Sequence, residues 1–298
     1  MRGRLLVGAV LFGVVAGAQV GASHAAPAPE HGYVTNSFHL PTTNTEASAL
    51  GRDVDGNGRR DNQFGKFLAS MAGLGLDLTS AQSDAIATGE IVMLHSLRAT
   101  TLGNTPDATW QVWYGAPTPD PDFSGTGSFS LPTDQPRSLQ LSATIKDHRV
   151  STAAGNIPLP LDLGFDPFLL RTKKAKILAS CTRGACSGGQ LAGALTVQQV
   201  NNVLIPALIQ WFQPVLQRDC PLGASSCMAD STGKTVQAIF DTNDDLLITT
   251  QEVKTSSPFL APDLDLVKAN GTPGKDGVKD AMSFGFGFTT VQATLVRP

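Results

Sequence analysis

Ala281-Met-Ser-Phe-Gly-Phe-Gly-Phe-Thr-Thr-Val-Gln-Ala-Thr-Leu-Val296 is the most strand-like stretch of the chain. Side chains alternate across a strand. Phe284, Phe286 and Phe288 therefore share one face, and Gly285 and Gly287 fall on the other. Three aromatics on one face belong against a core. The glycines opposite leave bare backbone, which predicts that another segment packs closely there. Similar texture runs upstream. Residues 33–40, 91–97, 110–114, 139–145, 157–163 and 175–179 alternate or run apolar, with Pro and Gly clusters between them. Pro158 and Pro160 demote their stretch to an edge or an extended lid. Residues 115–127, rich in Pro, Asp and Gly, read as a surface loop.

Helical spacing appears in three places. Phe64, Phe67, Leu68, Met71 and Leu74 mark a short amphipathic helix, and Thr79 or Ser80 opens a second that runs to Ala87. Residues 196–218 form the longest, with Thr196 as its cap and with Pro206 and Pro214 expected to kink or break it. No charged side chain occurs from Gly184 through Gln217, which predicts that this helix lies buried in the centre of the domain. The fold expected is α+β: an antiparallel sheet or sandwich flanked by several helices, in a single domain over residues 26–298.

The chain has 298 residues, with 22 Lys+Arg against 25 Asp+Glu. Its start, Met1-Arg-Gly-Arg, precedes an apolar run over 5–18 and the small residues before Pro27. This is the order of a signal peptide, spanning residues 1–25 with cleavage near Ala25. Export makes the mature chain secreted or periplasmic. Without Arg2 and Arg4 the balance becomes 20 cations to 25 acids, a net of −5. With no basic tract, nucleic acid is not expected as a partner. No later stretch is long and apolar enough to span a bilayer. In an oxidising compartment, Cys181, Cys186, Cys220 and Cys227 are expected to form two disulfides. Local pairs or pairs tying both ends of the intervening helix are equally open. The C-x4-C and C-x6-C spacings are wide for a zinc site.

Two acidic loops carry the chemistry. In Asp241-Thr-Asn-Asp-Asp-Leu-Leu-Ile-Thr-Thr-Gln-Glu252, oxygen-bearing side chains fall at the first, third, fifth, ninth and twelfth positions. These are Asp241, Asn243, Asp245, Thr249 and Glu252, and Leu247 at the seventh offers its backbone carbonyl. A chain curling around a hard cation presents alternate side chains inward, and calcium takes six to eight oxygens. The segment 236–258 resembles the EF-hand family, which implies helix–loop–helix geometry, a bidentate Glu252 and an apolar anchor at Ile248. Leu246 departs from the family's glycine, at a cost of about 1 kcal/mol for left-handed backbone. The second loop, Asp53-Val-Asp-Gly-Asn-Gly-Arg-Arg-Asp61, sets Asp53, Asp55, Asn57, Arg59 and Asp61 at alternate positions, with Gly58 at the sixth. Its twelfth position is Phe64, so it looks like a truncated calcium loop, which Asp276 or Asp280 from Lys275-Asp-Gly-Val-Lys-Asp280 would complete. The order of segments is also similar to a group of exported bacterial proteins that carry an EF-hand-like loop.

Catalytic sets are poor. Ser283 lies one residue short of a G-x-S-x-G elbow, and no histidine follows it. His31, His39, His95 and His148 show no zinc spacing. The expectation is a calcium-stabilised extracellular binding or structural module, not an enzyme, with calcium and an unspecified extracellular ligand as partners. The alternative is a secreted hydrolase on polysaccharide or lipid with structural calcium.

Overall fold

The computed structural model describes residues 28–76, 78–131, 140–164, 166–221, 226–256 and 260–297. The expected signal peptide, 1–25, lies outside them. In chain order the elements are β1 (Glu30–His39), α1 (Asn44–Leu50), α2 (Gln63–Gly73), α3 (Ser80–Ala87), β2 (Met93–Arg98), β3 (Thr105–Tyr114), β4 (Ser128–Ser130), β5 (Leu141–Lys146) and β6 (Arg149–Thr152). Then follow β7 (Pro158–Leu161), β8 (Phe168–Arg171), β9 (Lys173–Cys181), β10 (Ala185–Thr196), α4 (Val197–Gln199), α5 (Ile205–Asp219), α6 (Thr232–Phe240), α7 (Thr250–Ser256), β11 (Ala281–Gln292) and β12 (Thr294–Val296).

Eight strands close into an antiparallel barrel in the order β1-β11-β10-β9-β6-β5-β3-β2. This corrects the expected sandwich flanked by helices. Alternation tells which face of a strand is buried, but not which strand ends up beside the first. Closure rests on β1, which pairs with β2 on one side and with the C-terminal β11 on the other. A bulge between Thr35 and Ser37 marks the second pairing, and bulges bend strands in the way a closed sheet requires.

Register sets Phe288 beside Phe38, and Phe286 beside Leu191, on the inner face. Phe286 packs on Phe38, Phe64 and Phe284 at centroid distances of 5.6, 5.7 and 5.4 Å. His95 is buried there too. Trp110 Nε1 donates to His95 Nδ1 at 3.2 Å, so Nε2 carries the proton and donates to Thr35 Oγ1 at 2.8 Å. Burial lowers the pKa of His95 to about 3. Outward positions on β5 and β9, such as Ser142, Thr144, Lys146, Lys176 and Ser180, are exposed. Apolar inside and polar outside is the reverse of a membrane-spanning barrel. Among the described residues, no helix is long and apolar enough to cross a membrane.

The bare backbone of β11 is used as expected. A Cβ on Gly285 would sit 2.4 Å from the carbonyl oxygen of Leu50. That space admits the end of α1 and the start of α2. Pro158 and Pro160 lie in a separate two-stranded hairpin, β7–β8, where no central ladder needs their missing N–H groups. The helix at 197–219 is continuous but adjusted. Thr196 caps it, and a π turn over Val200–Leu204 precedes Pro206, with Ile205 N–H reaching Val200 O. The helix is buried on one face only (Leu204, Leu208, Phe212 and Leu216), with Gln217 and Arg218 exposed. Its anticipated burial on all sides is therefore corrected: uncharged glutamine and asparagine side chains face outward without charge.

Both disulfides are local, Cys181–Cys186 and Cys220–Cys227. The first joins directly paired residues of β9 and β10. Such bridges fit an oxidising, extracytoplasmic compartment.

Candidate metal centre

Asp53, Asp55 and Asp61 bring one carboxylate oxygen each to within 4.8 Å of one another. The loop reaches this state through its own backbone. Asp53 accepts from the N–H groups of Gly56, Asn57 and Gly58 at 2.7, 2.9 and 2.9 Å. Asp55 accepts from Asn57 N at 3.1 Å, and Asn57 Oδ1 from Arg59 N at 2.8 Å. Asp61 Oδ2 accepts from Val54 N at 3.1 Å, closing the ring. Gly56 and Gly58 sit at φ +77° and +82° with open space around them, so conformation alone asks for glycine.

Electrostatics separate the three acids. The Gly58 N–H, helped by Gly56, Asn57 and the Lys275 ammonium, lowers the pKa of Asp53. Burial raises that of Asp61, and the negative charges of Asp55, Asp263 and Asp53 add to the rise. Lys275 Nζ stands 3.7 Å from Asp55 Oδ2. The expectation that Asp276 or Asp280 completes this loop is therefore corrected. Asp280 accepts from Leu266 and Val267 N–H and Asp276 from Ala269 and Val278 N–H, and this fragment brings its lysine to the triad instead.

The loop at 241–252 lies between α6 and α7, so the helix–loop–helix expected at 236–258 is present. Asp241 accepts from Asp245 N at 3.1 Å and Leu246 N at 2.9 Å. Asn243 Oδ1 accepts from Asp245 N at 3.1 Å, and Asp245 Oδ1 from Leu247 N at 2.8 Å. Glu252 accepts from Thr242 N at 3.1 Å and, through its other oxygen, from Thr249 N at 2.9 Å and Thr249 Oγ1 at 2.8 Å. Leu246 takes φ +63°, the left-handed turn normally given to glycine. Burial raises the pKa of Asp241, with the charges of Asp245 and Glu252 adding to it. Burial also pushes Glu252 upward, but the Thr249 and Thr242 hydrogen bonds outweigh it and the net direction is down.

Two features escaped the sequence. Gln213, on α5, clamps the second loop: its Oε1 accepts from Ile248 N at 2.9 Å and its Nε2 donates to Leu246 O at 2.9 Å. Ile248 is buried as an anchor should be, but its backbone partner is this side chain. A lone glutamine on an amphipathic helix carries no sequence signal for that role. The other is Asn62, adjoining the first loop. Its side chain caps α2 at Gly65 N and donates to Ala47 O and Gly285 O, fastening the loop to β11. The N-cap position in front of an apolar helix was the available signal.

Ser283 is fully buried, donates to Asp263 Oδ2 at 2.5 Å and accepts from Gln63 N at 2.7 Å. It has no access to a substrate. No protein-family model matches this chain, and comparisons with curated proteins and with solved structures return no match.

Proposed function

We propose that this chain is an extracytoplasmic calcium-binding protein, a β-barrel module in which two metal loops fasten helices to the barrel. One observation carries the reading: loops nearly two hundred residues apart in sequence share one hydrogen-bond scheme. In each, the first acid receives the fifth and sixth N–H groups, and the third side chain receives the fifth. The fifth side chain receives the seventh N–H, and a closing carboxylate receives the second. Asp61, at the ninth position, closes the first ring as Glu252, at the twelfth, closes the other.

The donor set supports calcium over softer metals. All side-chain ligands are oxygen, from Asp53, Asp55, Asn57, Asp61, Asp241, Asn243, Asp245, Thr249 and Glu252, with backbone carbonyls at Arg59 and Leu247. Thiolate and imidazole, which favour zinc and copper, are absent from both loops. On this reading 236–258 is an EF-hand-like unit and 53–64 a shortened one. A bound cation offsets the mutual repulsion of the converging Asp53, Asp55 and Asp61 carboxylates and, by linkage, stabilises the folded chain. The first loop would hold α2 on β11 through Asn62, and the second would hold α6 and α7 on α5 through Gln213.

Isothermal titration with calcium tests the proposal. Two sites per chain are expected, with one lost in Glu252→Gln and the other in Asp61→Asn. Absence of binding heat, together with an unfolding curve indifferent to chelator, would overturn it.

A further inference from the structure

The chain is net acidic, yet β5, β6, β9 and β10 contain no Asp or Glu. Their exposed outward residues are lysine, arginine, serine and threonine, with the half-buried Leu178 paired between Ser151 and Gln190. Lys146 pairs directly with Arg149 across β5 and β6, and Arg149 pairs with Ser180 of β9. Lys176 lies four residues along β9 from Ser180, about 13 Å at 3.3 Å per residue. The segment that precedes the first acidic loop docks on the same side of the barrel. Arg52 Nη2 and Ala49 O both bond the side chain of Gln190 on β10, and Arg60 Nη1 donates to Ala49 O.

Among the described residues, none of Arg52, Arg60, Lys146, Arg149 and Lys176 forms an ion pair. The acids that border the group are Asp147, exposed at the β5–β6 turn, and the Asp53–Asp61 triad, in which Asp53 adjoins Arg52 in the chain and Asp61 pairs with it across a bridge. Unpaired cations held on a rigid sheet repel one another, and a polyanion relieves that repulsion.

We infer that this outer barrel face binds an anionic polysaccharide, a chain bearing carboxylate or sulfate groups along an oxygen-rich backbone. Surface chemistry selects that partner. Ser142, Thr144, Ser151, Ser180 and Ser187 interleave hydroxyls with the cations. No aromatic ring stands on these outward positions to stack a nucleobase, and the half-buried Leu178 is a single large apolar side chain, too little to insert a face into a bilayer.

The test uses fluorescein-labelled heparin and anisotropy, with the full chain at fixed calcium. Binding is expected to weaken steeply between about 50 and 200 mM salt. The triple variant Lys146→Glu/Arg149→Glu/Lys176→Glu should lose at least ~10-fold in affinity. An equal charge change on exposed lysines outside these strands, Lys254→Glu/Lys268→Glu/Lys279→Glu, should cost less than ~2-fold. The Gln triple at the first three positions guards against misfolding and should fall between. Equal losses in both Glu triples would reduce the effect to net charge and overturn the inference. So would failure to bind heparin, or tighter binding to phosphatidylglycerol vesicles or duplex DNA.

Discussion

The loops at 53–61 and 241–252 reach one backbone shape with different residues. The fourth and sixth positions are left-handed in both: Gly56 and Gly58 at φ +77° and +82°, Asp244 and Leu246 at φ +57° and +63°. In the first loop glycine removes the strain. In the second the strain is kept, and the surroundings hold it. Leu246 packs partly against the core, and its carbonyl is gripped by Gln213. Among the described residues, no side chain from another helix clamps the first loop in this way. Its eighth position is the exposed Arg60, where the second has buried Ile248. A loop free of strain can stand at the surface; a strained one needs a partner element.

The largest expected effect comes from removing both first-position acids. Asp53→Asn/Asp241→Asn should abolish the calcium-dependent rise in stability. That rise is about 2.7 kcal/mol per site when calcium stands at 100 times its Kd. Thermal unfolding with calcium and with chelator reads it directly. A variant that still gains stability from calcium would place the ion elsewhere.

A second effect separates the loops from the barrel. Folded His95 stays neutral down to about pH 3, whereas an unfolded imidazole takes its proton near 6.5. The unfolded state therefore binds more protons between these values, and stability is lost as pH falls below the unfolded pKa. The slope from this residue is about 1.4 kcal/mol per pH unit. Denaturant unfolding from neutral to acid pH should show this limb with chelator present as well as with calcium. Its disappearance in chelator would tie the barrel interior to the metal loops.

The next test exchanges strain. Gly58→Leu puts the second loop's residue into the first, where space is open and only the left-handed turn matters. Calcium affinity at that loop should fall about fivefold, from a cost of about 1 kcal/mol. An unchanged affinity would mean that the turn relaxes in the first loop.

An effect of similar size belongs to the clamp. Gln213→Ala leaves Ile248 N–H and Leu246 O without their partner, at about 1 kcal/mol. Titration should show weaker binding at the second loop alone, with the first unaltered. Weakening at both would couple the two loops through the fold.

Some of this was legible early. The alternating Phe284-Gly-Phe286-Gly-Phe288 run announced a strand with a core face and a closely packed opposite face, and Gly285 bears it out. The spacing of oxygen-bearing side chains marked both loops, because a curling chain obeys a local rule. The cap at Thr196 and the apolar spacing of α2 were local as well. Sandwich against barrel was not legible, since it depends on β1 meeting β11. Nor was the role of Gln213, whose partners lie thirty-three and thirty-five residues away. The failed completion of the first loop by Asp276 or Asp280 has the same origin. Five-residue echoes say nothing about which side chain arrives.

By itself the sequence determined what neighbours in the chain decide: strand faces, helix caps, the oxygen pattern of two loops and an even number of cysteines. These follow from backbone periodicity and from hydrogen bonds that close within a few residues. Tertiary structure alone decided the closure of the sheet, the local cysteine pairing, the clamp on the strained loop and the gathering of scattered lysines and arginines onto one barrel face. Those outcomes depend on which distant segments meet, and packing over the whole molecule settles that.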